Sequence, residues 1–123
     1  MIPETTTIEQ DDDVLVWRND DFMISMDQAE AIAAEIERHL NEGTIAGLLV
    51  DNREAEGTWP QEANEVWSEL MGTIYDREIR CATVSPSVTN SMQINRLSRQ
   101  AGTDDRIKAF PSRDYGEAVE FIE

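Results

Sequence analysis

Any enzyme activity of this chain would have to rest on Asp51, Arg53 or Ser85 with no recognisable base, because His39 and Cys81, its only histidine and only cysteine, both read as structural residues. His39 falls at the end of a segment with helical periodicity, where a cation suits the negative end of the helix dipole. It has no second histidine or cysteine nearby to share a metal, and no serine at triad spacing, so it reads as a helix-end residue. Cys81 lies inside the apolar stretch Ile79 to Val84. A reactive thiolate needs a basic neighbourhood, and in a strand Arg80 points to the opposite face. Cys81 therefore reads as a small buried apolar residue. A lone cysteine also excludes a disulfide framework and a cysteine-rich zinc site. The carboxylate pairs Asp20-Asp21 and Asp104-Asp105 read as solvated turns rather than metal ligands. The six glycines are scattered, and none follows a strand in G-x-G-x-x-G form. A receiver-type phosphoacceptor site fails on position, because Asp11, Asp12 and Asp13 precede the first strong strand and Lys108 lies within a late one. The residues predict no catalytic group, no metal and no cofactor, and hence a chain that is not an enzyme.

The elements that would position any other site follow from periodicity. Val14 to Arg18 predicts a strand, Asn19-Asp20-Asp21 a turn, and Phe22 to Ile24 the return strand of a hairpin. Thr5 to Glu9 suits an edge strand or a frayed arm, so the chain divides into an arm or edge strand over 1–12 and one domain over 13–123. Ser25 and Gln28 form a capping box for a helix whose stripe is Ala29, Ile32, Ala33, Ile36 and Leu40, with Gly43 closing it. Ile45 to Asp51 predicts a strand covered on both faces. Thr58 and Gln61 suggest a second capping box, followed by the stripe Ala63, Val66, Trp67, Leu70 and Ile74. A strand over 79–84 leads to a third helix opened by Ser85-Pro86-Ser87, with Val88, Met92, Leu97 and Ala101 facing inward and Gly102 ending it. Arg106 to Phe110 predicts the last strand, and Ser112 caps a final helix carrying Tyr115, Ala118, Val119 and Ile122. Strands alternating with helices demand right-handed crossovers and a mainly parallel sheet. The fold class is an α/β sandwich with an N-terminal β-hairpin at one edge.

Composition narrows the partners. The 123 residues carry 26 acidic and 10 basic side chains, a formal net charge of -16, and only Lys108 among the ten is a lysine. Acidity combined with loss of lysine predicts a protein of a salt-rich cell, where screening at molar salt removes self-repulsion. Nucleic acid is a poor partner for such a surface, since phosphate binding needs a basic footprint. The apolar runs are strand-sized, so no membrane span is expected, and the N-terminus lacks an export signal. The expected location is the cytoplasm.

The element order resembles the STAS domain family of anti-sigma factor antagonists and SpoIIAA-like proteins. The resemblance rests on the hairpin leading into a helix, on Leu49-Val50-Asp51 ending a strand, and on the closing run from Phe110 through Ser112 and Tyr115 to Ile122. It implies a regulatory module acting through a protein partner. Signalling members carry an Asp-Ser or Asp-Thr pair with a following Gly after the central strand, and that hydroxyl is phosphorylated. Here the region reads Asp51-Asn52-Arg53-Glu54-Ala55-Glu56-Gly57-Thr58-Trp59-Pro60. Thr58 stands at the corresponding place without the flanking motif, and reads either as a helix N-cap or as a phosphate acceptor. In open α/β sheets, ligands and partners gather at the carboxyl ends of the strands. That edge displays Asp51, Arg53, Thr58 and Trp59, then Ser85 and Ser87, then Ser112. The first expectation is a non-catalytic STAS-like interaction module, with homodimerisation through the hairpin edge open to it. The alternative is a domain binding a small or lipid-like molecule.

Overall fold

Residues 2–57 and 59–122 are described in a computed structural model of the chain. Strand β1 (Thr6–Asp11) pairs antiparallel with β2 (Val14–Asn19). Helix α1 (Met26–Glu42) leads to β3 (Gly47–Asp51), α2 (Ala63–Asp76) to β4 (Arg80–Ser85), and α3 (Val88–Gln100) to β5 (Ile107–Pro111). A 3-10 turn over Ser112–Asp114 and helix α4 (Tyr115–Ile122) follow. The sheet runs β1-β2-β3-β4-β5, and every pair after the first is parallel.

The hairpin is displaced from its expected place. Phe22 to Ile24 is not a strand, because β2 already has both edges occupied, by β1 on one side and β3 on the other. Instead the segment bridges to the loop after β3, with the Phe22 N–H donating to the Glu56 carbonyl at 2.9 Å. Phe22 and Ile24 are thereby delivered into the core.

Helix α1 forms as its sequence dictates. Ser25 and Gln28 make both hydrogen bonds of the capping box, Gly43 closes the helix at a φ of 75°, and the five stripe residues are all buried. Helix α2 starts at Ala63 rather than at the expected box around Thr58, which itself lies outside the described residues. Turn bonds Ala63 N–H to Pro60 O and Asn64 N–H to Gln61 O precede it. Trp59 packs edge-on against Phe22, with ring centroids 5.1 Å apart.

Alternating strand residues feed two cores. Leu15, Trp17, Leu48, Val50, Cys81 and Ile107 meet α1 and α2 on one face. Leu49, Ala82 and Val84 meet Ala118 and Ile122 of α4 on the other. Helix α3 departs from its expected stripe: Val88 and Met92 are exposed, and Ser91, Ile94 and Ser98 are buried. Small side chains let the helix lie close to the sheet, and their hydroxyls are paired internally. The Ser91 Oγ donates to Ser87 O at 3.2 Å, and the Ser98 Oγ to Ile107 O at 3.0 Å. Ser112 does not cap the final helix either; its Oγ donates to the Ser85 carbonyl at 2.7 Å and ties the end of β4 to the 3-10 turn.

Candidate functional site

The carboxyl edge of the sheet is built from three kinds of residue. The first is an ion pair. Asp51, the last residue of β3, accepts from Arg53 Nε at 3.0 Å, Arg53 Nη2 at 2.9 Å and the Arg53 backbone N–H at 3.1 Å. Burial works to raise the Asp51 pKa, but the Arg53 hydrogen bonds and charge outweigh it and hold the carboxyl below its usual value. The guanidinium lies 4.1 Å from the centroid of the Tyr115 ring, a cation–π contact that joins this loop to α4. Ser85 is fully buried beside it, its carbonyl held by Ser112 and its Oγ without a partner. Ser87 caps α3, accepting from the Asn90 N–H at 3.1 Å.

The second is a buried amide network. Thr6 Oγ1 and Trp17 Nε1 both donate to Asn19 Oδ1, at 2.9 and 3.0 Å, and Asn19 Nδ2 donates to Asn52 Oδ1 at 2.8 Å. It ties β1, β2 and the loop after β3 together. In the sequence Asn19 and Asn52 carry only turn signals, and their strand-end positions were the sole hint of a shared role.

The third is Trp59, which turns away from Arg53. Arg53 and Tyr115 belong to the α4 face, whereas Trp59 packs on the opposite core with Phe22, and its Nε1 donates to Asn64 Oδ1 at 2.7 Å. Asp51, Arg53, Ser85 and Ser112 thus come together at the strand ends, and Trp59 stands apart from them. An apolar cavity of about 70 Å³ lies behind Trp59, with Trp17, Phe22, Trp67 and Cys81 in its wall. A polar cleft of about 230 Å³ lies in front of it, between α2 and α3. Burial pushes the Cys81 thiol up to about 12, with a smaller opposing effect from its hydrogen bond to Thr83. Among the described residues, no three histidine, cysteine or acidic side chains converge to hold a metal, and no helix is long and apolar enough to cross a membrane.

No protein-family profile and no curated protein sequence matches the chain. Solved structures do match, and they place the chain in the SpoIIAA fold. The anti-sigma factor antagonist SpoIIAA in its unphosphorylated form superposes with a TM-score of 0.63, covering 96% of this chain and 98% of its own at 13% identity. A Thermotoga maritima protein described as a candidate anti-sigma factor antagonist gives 0.67 at 17% identity, covering 97% and 95%. An uncharacterized protein of the DUF3478 family from Shewanella loihica, with a SpoIIAA-like fold, gives 0.66 at 18% identity, covering 96% and 92%.

Proposed function

We propose that this chain is a non-catalytic, STAS-like regulatory module that docks a protein partner on the carboxyl edge of its sheet, in a salt-rich cytoplasm. The observation that carries the reading is the exposure of Met23 (74%), Val88 (49%) and Met92 (66%). All three are large apolar residues in segments that leave that edge, Met23 after β2 and the other two after β4. Val88 and Met92 are one helical turn apart, so they present a paired apolar step on α3. In a chain with 26 acidic residues, such an exposed apolar step is the kind of feature a partner covers. The shared fold with anti-sigma factor antagonists supports a protein as the partner. Ser87 caps the helix that carries this step, and SpoIIAA itself exists in a phosphorylated form.

The test is affinity capture in high KCl, comparing the natural chain with a Val88→Ser/Met92→Gln variant. Both positions are exposed, so the variant should keep its fold, which circular dichroism checks. Loss of a captured protein in the variant is the expected result; equal capture by both forms overturns the assignment.

A further inference from the structure

The two cavities on either side of Trp59 have opposite chemistry and share a wall. Trp59 and Leu97 line both. Behind them the apolar cavity is walled mainly by aromatic and aliphatic groups; of the four polar residues that reach it, Asn19 and Asn52 are bonded to each other at 2.8 Å, Asp21 accepts from the Met23 N–H at 2.8 Å, and Thr83 is the fourth. A water molecule needs roughly 10–15 Å³ of such volume and two to four polar partners. At about 70 Å³ the cavity has room for several waters and offers them few partners in a predominantly apolar wall. Apolar groups displace poorly bonded water at a gain. The volume suits one ring or a short branched chain and is too small for a long acyl tail.

In front of Trp59 the cleft reverses this pattern. Gln61, Asn64, Asn90, Gln93 and Gln100 supply carboxamides, Arg96 supplies a cation, and none of the described lining residues is acidic. That is unusual for a chain of net charge -16. Among the described residues Arg96, like Arg77, Arg80, Arg99, Arg106 and Arg113, is paired with no carboxylate, and of these it alone lines the cleft. A guanidinium among neutral amides selects a carboxylate or a similar small anion.

We propose that the two cavities form one bipartite site for a small amphiphilic acid. Its apolar group fills the dry cavity, its carboxylate meets Arg96, and Trp59 is the gate between them. The gate is held by one side-chain hydrogen bond, from Trp59 Nε1 to Asn64 Oδ1, a residue of the polar cleft itself. A carboxylate head group that accepts from Trp59 Nε1 competes with Asn64 Oδ1 for that proton and frees the indole to swing. The site does not depend on the docking surface proposed above, since neither Val88 nor Met92 lines it.

The chain carries its own reporter, because all three tryptophans line the apolar cavity. Titration with 3-phenylpropanoate, acetate and toluene, read by tryptophan emission and by melting temperature, separates the two halves. The expected result is a saturable emission change and a raised melting temperature with 3-phenylpropanoate, with no saturable change from acetate. Arg96→Gln should weaken 3-phenylpropanoate about tenfold, the loss of one charge-assisted contact, and leave any toluene response unchanged. Arg96 is exposed, so this variant should keep its fold. The proposal is overturned if 3-phenylpropanoate gives no saturable change, if acetate alone reproduces it, or if Arg96→Gln binds as tightly as the natural chain.

Discussion

Asp51 is the residue on which opposing forces are most evenly matched. It ends a strand whose five residues are all buried, and a carboxylate there is costly unless hydrogen bonded. Arg53 supplies three donors from two residues away, and its ring contact with Tyr115 keeps the guanidinium in place. Because the folded carboxyl is held below its unfolded value, the pair contributes stability above the unfolded pKa. That contribution is lost as pH falls through the folded pKa. Asp51→Asn should therefore destabilise at neutral pH by about 1 kcal/mol, a charged hydrogen bond discounted for the partly exposed Arg53. The gap should close in acid. Urea unfolding of both forms across a pH series measures it, and a gap that persists unchanged below the carboxylate range would mean that charge plays no part. Cys81 shows the simpler case. Its burial in the strand was legible from the apolar letters around it, and a thiol pushed up to about 12 is protonated at neutral pH and inert as a nucleophile.

At the scale of elements, the outer edge of β5 needs protection, since an unpaired edge invites another chain. Asn95 on α3 provides it: its Oδ1 accepts from the Ala109 N–H at 2.8 Å, and its Nδ2 donates to the Ala109 carbonyl at 3.1 Å. One side chain thus satisfies the backbone pair that a sixth strand would take. Asn95→Ala should cost about 1–3 kcal/mol through two part-buried groups left unpaired, and should promote self-association read by light scattering. Stability within error of the natural chain would show that water replaces the amide without loss. The same helix shows where sequence reading ends. Helix α1 was legible because its apolar residues recur with one period and its caps are local, so Ser25, Gln28 and Gly43 could be read without knowing the fold. Helix α3 hides its buried face behind Ser91 and Ser98, whose hydroxyls are satisfied by backbone four and nine residues away, and polar letters then mark the inside. The mainly parallel sheet followed from the alternation of strands and helices, but the partner of β2 in the hairpin did not. That choice depends on which edges of β2 are free, a property of the assembled sheet. For the candidate site, position was legible and pairing was not. Asp51, Arg53, Ser85 and Ser112 do converge at the strand ends, whereas Trp59 is carried to the other face by Phe22, a contact between segments far apart in sequence.

For the whole molecule, the governing quantity is the net charge of -16 on 123 residues. The carboxylates are spread along the surface and mostly unpaired, so their mutual repulsion opposes the compact state at low ionic strength. The screening length is about 8 Å at 0.15 M salt and about 3 Å at 1 M, so repulsion between neighbouring surface carboxylates fades over that range. Paired charges such as Asp51 and Arg53 weaken too, but they are few against 26 acidic residues. Repulsion therefore dominates the balance, and the melting temperature should climb with KCl up to molar concentration. If general screening is the cause, NaCl should act equally at matched ionic strength. Neutralising two exposed acids at the β1 edge, as Glu9→Gln/Asp11→Asn, should raise the low-salt melting temperature and flatten the salt slope, because it removes part of what the salt screens. A melting temperature independent of salt, or a slope that the double variant leaves unchanged, would show that the acidic surface is not under electrostatic strain. The reading of the chain as built for a salt-rich cell would then fall.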